Sequence, residues 1–257
     1  MTLVAGFGAS PSAPRRGAEG LGLVPNTTSH TEVEIDVRRA RVWRCRKVVR
    51  FAAAACERGG VGRPVMQTLT YRDGREWRPH HISRYLNIVR VHFGRRGLPF
   101  RHVWVAELQD RGAVHYHVLV WLPRGAWLPK PDRNGWWPHG STNISTRKKP
   151  VRSATGYLTK YASKLESKTL GYPKGLRMCG VGGLSQDDRR DKSHAFLPAW
   201  LRDETVPELA IARAKGGGFV SRVTGEYWRS PWVCHLTLFR LGVGPVVFLS
   251  RSTEGSQ

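Results

Sequence analysis

The sequence predicts an α+β domain: a central, mostly antiparallel sheet with flanking helices, followed by a less regular C-terminal region. Three observations predict it. Two apolar runs, His102 to Leu108 and Ala113 to Leu122, are joined by Asp110-Arg111-Gly112, which reads as a three-residue hairpin loop with glycine at the left-handed position. Two amphipathic helical patterns, Val37 to Arg58 and the segment opened by Pro79, lie upstream of that hairpin. Short β-prone runs, Val65 to Tyr71 and Thr142 to Thr146, bracket it.

Taken in order, residues 1 to about 32 are rich in Gly, Ser, Pro and Thr without periodicity, which predicts a flexible leader reaching to residue 35. Val42, Cys45, Val48, Val49 and Ala52 then recur at helical spacing among many arginines, giving a basic amphipathic helix ended by Gly59-Gly60. The strand Val65 to Tyr71 closes at Arg72-Asp73-Gly74. Ile82, Tyr85, Leu86, Val89 and Phe93 form one helical stripe that stops at Gly94 to Gly97. Residues 123–139 are a Pro, Gly and Trp-rich excursion. Ala154 to Lys168 is a helix pattern with Tyr157, Leu158, Tyr161 and Leu165 on its stripe. After Gly171 come Gly-rich turns, a short helical run near Leu209 to Ala214 and a β-prone end. The predicted division is a leader (1–35), a core domain (36–170) and a C-terminal accessory region (171–257).

Charge sets the class of partner. The chain of 257 residues carries 42 Lys+Arg against 19 Asp+Glu, a formal +23. Such an excess predicts a polyanionic partner, nucleic acid ahead of an anionic membrane surface. No apolar run reaches the ~18 residues of a membrane span, and Leu236 to Leu249 is broken by Arg240 and Pro245, so it reads as strand plus turn. Cys45, Cys56, Cys179 and Cys234 are scattered without a C-x-x-C pair, which argues against a disulfide framework or zinc ribbon and for a reducing cytoplasm. The phosphate-binding pattern G-x-x-x-x-G-K-[ST] is absent, so there is no recognisable ATPase motor.

The chemistry gathers at His115-Tyr116-His117. A strand puts residues two apart on one face, so both imidazoles aim the same way. With the hairpin loop taken literally, Gln109 pairs with Ala113 and Glu107 stands opposite His115, with Cβ atoms ~4.5–5.5 Å apart. A one-residue slip would turn Glu107 to the other face. Two imidazoles and a carboxylate with open positions suit Mg²⁺ or Mn²⁺ acting as a Lewis acid on a phosphate, and zinc also fits the ligand types. Downstream, Tyr157 and Tyr161 are one helical turn apart, Lys164 continues their face and Lys160 flanks it. A phenol of pKa ~10 needs activation to act as a nucleophile, and a polarised phosphate with nearby ammonium groups would supply it. Trp136-Trp137, beside Arg147, Lys148 and Lys149, is a candidate base-stacking platform. Tyr71, Trp104 and Trp121 read as core. His80, His81, His92 and His139 have no partner at ligand spacing and read as surface or DNA-facing. His102 has the opposite parity to Glu107.

The strand Gln67-Thr68-Leu69-Thr70-Tyr71, the set Glu107…His115-Tyr116-His117 and the later Tyr157-x-x-x-Tyr161-x-x-Lys164 together resemble, in kind and order, the motifs of HUH-superfamily rolling-circle replication initiators. The likeness runs over roughly residues 64–168 and is strongest to the Rep endonucleases of filamentous and other single-stranded DNA bacteriophages. It implies an antiparallel sheet with the His pair on a central strand. It also implies a nicking reaction in which a tyrosine attacks a DNA phosphodiester, leaving a 5′-phosphotyrosine and a 3′-OH primer. Carried onto this sequence, His115, His117 and Glu107 would hold Mg²⁺ or Mn²⁺, Tyr157 and Tyr161 would alternate as nucleophiles, and Lys164 or Lys160 would steady the phosphate. The partners implied are single-stranded origin DNA with a separate host helicase and polymerase, in the cytoplasm of a bacterial host and without a membrane. One residue departs from the pattern: Tyr116 stands where the family usually has a bulky aliphatic. A related tyrosine transposase or relaxase remains an alternative, as does a non-catalytic basic DNA-binding protein.

Overall fold

In the computed structural model, which describes residues 33–60, 62–145, 156, 172–215, 217–240 and 244–251, Asp36 starts the first long helix. Its carboxylate accepts the backbone N–H groups of Arg38 and Arg39 at 2.8 and 3.0 Å, satisfying donors that a helix start leaves open. Helix α1 (Val37–Arg58) has the bounds its periodicity predicts and buries Val42, Cys45, Val49, Ala52, Ala53 and Cys56. Helix α2 (His81–Gly94) buries Ile82, Tyr85, Val89 and Phe93.

Between these helices lies a five-stranded sheet of β2 (Arg63–Thr70), β3 (Arg101–Leu108), β4 (Val114–Leu122), β5 (Thr142–Ser145) and β6 (Cys179–Gly182), ordered β5-β2-β4-β3-β6. Every neighbouring pair is antiparallel. The strand period of two divides its side chains cleanly. Even positions of β4 (Val114, Tyr116, Val118, Val120, Leu122) join Trp104 and Ala106 in the cluster that holds the α2 stripe. Odd positions (Leu119, Trp121) join Val103, Val105 and Met66 in the cluster under α1. His115 and His117 continue that odd row toward the hairpin.

Three features depart from the sequence reading. Val33–Asp36 forms strand β1, paired antiparallel with the last strand, so residues 33–35 are not leader. The alternating Val-Glu-Ile-Asp is a strand pattern too short to stand out from the biased segment before it. The run near Leu209 to Ala214 is not helical: a 3₁₀ turn (Pro207–Leu209) ends at Ala210, whose left-handed φ of 49° breaks the helix, and β7 (Ile211–Arg213) follows. It pairs with β8 (Phe219–Ser221), which pairs with β9 (Tyr227–Trp228). Helix α3 (Gln186–Ala195) was not anticipated, although Ser185 caps it, its hydroxyl accepting Asp188 N–H at 3.0 Å.

The β-prone end behaves as expected: β10 (Trp232–Arg240) and β11 (Gly244–Arg251) form an antiparallel pair. The central sheet draws its edge strand β6 from the segment allotted to the accessory region. Gly180 and Gly182 permit that, because a Cβ at either would meet the rings of Trp104 or His102 at 2.4 and 2.3 Å. All four cysteines are free thiols. Among the described residues no helix is long and apolar enough to cross a membrane.

Candidate metal centre

The hairpin between β3 and β4 sets the register of the site. Gln109 N–H donates to Ala113 O and Gly112 N–H to Gln109 O, both at 2.9 Å, and Gly112 takes the positive φ of 80° that the loop requires. The pairing that follows is Glu107 opposite His115 and Val105 opposite His117. The carboxylate and both imidazoles therefore share the face toward α1. The His115 and His117 rings lie 4.7 Å apart.

Glu107 engages the diagonal partner rather than the one it faces. His117 Nε2–H donates to Glu107 Oε2 at 2.8 Å, between side chains only 7% and 15% exposed. His115 is held from the other side. Strand β2 pairs Thr70 with His115 and Thr68 with His117, and Thr70 Oγ1 lies 3.3 Å from His115 Nδ1. Burial, first, and then the neighbouring His117 push the His115 imidazole from its usual range down to about 4, with Glu107 opposing and Arg111 adding to the shift. His115 is thus neutral at physiological pH, the form that can donate a lone pair.

Two imidazoles and a carboxylate are the donor set that Mg²⁺, Mn²⁺ or zinc accepts, and in chemistry they fit a divalent ion. The arrangement is that of a hydrogen-bonded pair: among the described residues no group of three His, Cys, Asp or Glu side chains is already disposed around one point. Binding an ion through Nε2 of His117 would replace the proton now shared with Glu107. The nearness of Thr70 favours the His115 tautomer with Nδ1–H donating to the hydroxyl and Nε2 left as ligand.

Tyr116 points the opposite way into the core. It is 1% exposed and accepts Trp77 Nε1–H at 2.8 Å. Burial pushes its phenol up to about 12. The ring occupies an aliphatic position and its polar tip is satisfied, which explains the departure at this position.

Three residues at the site escaped the sequence reading. Thr70 lay in a recognised strand, but only the β2–β4 register reveals that it meets His115. Arg111, in the hairpin loop, donates to the carbonyl oxygens of Tyr71 and Arg72 and to Gln109 Oε1, bringing a guanidinium beside His115. Tyr172 donates to Ala106 O at 3.4 Å. Burial and then the Glu107 carboxylate raise its phenol above the ordinary range. Nothing periodic in its surroundings marked it. Tyr157, Lys160, Tyr161 and Lys164 lie outside the described residues, as do Arg147, Lys148 and Lys149.

The stacking candidate needs correction. Trp137 is 1% exposed and donates Nε1–H to Thr70 O at 3.1 Å, so it is core. Only Trp136 is partly exposed. His81 and His139 are not plain surface either: their rings stack at 3.7 Å and 12°, and Tyr71 Oη lies 3.1 Å from His81 Nδ1. Tyr71, Trp104 and Trp121 are buried as expected.

Residues 64–166 match a family model described as replication-associated protein, of the ORF2 type. The match supports a replication-initiator family, and DNA replication as the process. The matched span takes in α2, nearly all of β2, and the whole of β3, β4 and β5. Neither the curated proteins nor the solved structures contain a significant match to the chain.

Proposed function

We propose that this chain is a metal-dependent, site-specific DNA nickase and strand transferase of the HUH type, which initiates rolling-circle replication of a small replicon of a phage kind. The observation that carries the reading is the register of β3 on β4, which sets Glu107 beside His115 and His117 on one face. It lies within a span matched to a replication-associated family, and that span runs on through Tyr157, Lys160, Tyr161 and Lys164.

In this reading the phenolic oxygen of Tyr157 or Tyr161 forms a bond to a phosphorus of single-stranded origin DNA. The bond from phosphorus to the 3′-oxygen breaks, and the phenol's proton is made good on the departing 3′-hydroxyl. The products are a 5′-phosphotyrosine and a free 3′-OH, and a second attack by the other tyrosine reverses the link at strand closure. His115, His117 and Glu107 would hold Mg²⁺ or Mn²⁺, which when bound supplies Lewis-acid polarisation of the scissile phosphate. Thr70 fixes the His115 tautomer. Lys164 or Lys160 balances charge on the phosphate. Unwinding and synthesis fall to a separate helicase and polymerase of the bacterial host, in its cytoplasm.

The test incubates the full chain with single-stranded oligonucleotides tiling the replicon's non-coding DNA, with Mn²⁺ or with chelator. A covalent protein–DNA adduct on a denaturing gel is expected only with metal, and it should disappear in His115→Ala and in the Tyr157→Phe, Tyr161→Phe double variant. An adduct that survives chelator and His115→Ala, or none with any tile, overturns the reading.

A further inference from the structure

At the opposite end of β4 from His115 the chain builds a second surface with a different character. Leu122 is seven residues beyond His115, or ~23 Å along an extended strand. There the turn closed by Ala126 N–H to Pro123 O at 3.0 Å projects Trp127, whose side chain is 62% exposed. The indole belongs to a shelf of rings. His92 lies edge-on to Trp127 at 6.3 Å and to Trp136 at 4.8 Å. Arg96 caps the shelf, with Nη1 3.0 Å from His92 Nδ1 and donating to His92 O at 3.0 Å.

The same loop borders a cleft of ≈ 660 Å³ on its other side. Exposed Arg63 and Arg124 flank this cleft, and its floor is backbone. Gly62 has φ 99°, and a Cβ there would fall 1.8 Å from Leu122 O, so no side chain can fill the floor. Charge across the region is one-sided. From Trp77 to Ala106, and from Ala113 to Pro131, the sequence contains no Asp or Glu, while Arg84, Arg90, Arg95, Arg96, Arg124 and Lys130 fall within those spans.

An open indole beside guanidiniums, with no carboxylate in these segments, suits a partner offering an unstacked base and a phosphate together. Duplex DNA keeps its bases stacked on each other and offers none. We propose that Trp127 with the Arg124–Arg63 cleft is a docking shelf for single-stranded nucleic acid: a base stacks on Trp127 and the adjoining phosphates sit between the two arginines. Binding here requires neither the metal ligands nor the tyrosines, so it goes beyond the nicking reading and stands or falls separately.

The test measures fluorescence anisotropy of a labelled oligothymidylate of about twenty nucleotides with the full chain in chelator, which keeps cleavage out. Trp127→Ala should weaken binding roughly five- to a hundred-fold, the range of one lost base stack, and Trp127→Phe should recover most of the loss. Arg124→Gln should lower the slope of log affinity against log salt by about 1. His115→Ala should bind as the parent does, and failure of the nicking assay would leave these results unchanged. Trp127→Ala binding within about twofold of the parent overturns the proposal. So does a Trp127 dependence seen with phosphatidylglycerol vesicles but not with the oligonucleotide.

Discussion

Thr70 and Glu107 hold the two imidazoles of the candidate centre from opposite neighbouring strands. Thr70 on β2 meets His115 Nδ1 at 3.3 Å, and Glu107 on β3 takes the proton of His117 Nε2 at 2.8 Å. Each imidazole therefore has its own anchor, and the pair's orientation depends on two independent strand registers.

Removing the Thr70 anchor tests that division of labour. Thr70→Val keeps the β-branched shape but removes the acceptor for Nδ1–H, and loss of such an outer partner typically costs roughly 10–100-fold in metal affinity. The expected outcome is a shift of that order in the Mn²⁺ concentration needed for half-maximal adduct formation, recovered at saturating Mn²⁺ and rescued by Thr70→Ser. An unchanged Mn²⁺ titration would show that Thr70 does not orient His115.

A buried polar pair ties the sheet to α2. Tyr85 donates its hydroxyl to Gln67 Oε1 with both residues essentially solvent-free. Tyr85→Phe leaves that oxygen without its donor and should destabilise the fold by about 1–3 kcal/mol in urea titration. Adding Gln67→Leu removes the orphaned amide, and also a Gln67 Nε2 that has no hydrogen-bond partner, so the double variant should regain most of the loss. A double variant less stable than Tyr85→Phe would mean that the amide contributes by some other contact.

Strand β6 makes a sharper demand on sequence. A Cβ on Gly180 would lie 2.4 Å from Trp104 Nε1 and 2.6 Å from Trp104 Cε2. The indole is 2% exposed and cannot retreat without disturbing the core. Gly180→Ala should cost about 1–3 kcal/mol by overpacking. Thermal unfolding checks it against Gly97→Ala, where a Cβ meets nothing within 4 Å and only the positive φ of 63° is strained.

Local rules explain which parts of this structure the sequence revealed. Helices α1 and α2 and the β3–β4 hairpin were legible because their apolar periodicities are long and their ends carry strong punctuation at Gly59, Gly94 and Gly112. The hairpin carried the site with it: a three-residue loop leaves a single register, and that register put Glu107 opposite His115. What failed depended on distant pairing. Val33 to Asp36 becomes a strand only because β11, far along the chain, offers an edge. Thr70 reaches His115 through a pairing that no local signal specifies. Trp137 looked available for stacking, yet its indole N–H is taken by Thr70 O, whereas the exposed indole is Trp127.

The last prediction concerns acid. His102 is 9% exposed, lies against Phe100 at 4.4 Å, and has no hydrogen-bond partner for Nδ1. Burial lowers its pKa from 6.5 to about 4. Between those values the unfolded chain binds a proton that the folded chain refuses, so stability rises with pH across the window. The contribution is fully present above pH 6.5 and is lost as pH falls toward 4. Its size is at most about 3 kcal/mol by the conversion of a pKa shift into free energy. Burial also lowers His81 and His115 to about 4, so the parent should lose stability steeply in mild acid and His102→Leu should remove only part of the slope. Urea midpoints for both proteins at about pH 7, 5.5 and 4.5, which span that window, are the measurement. The curves should converge as pH falls; parallel curves would mean that His102 is hydrated or paired when folded.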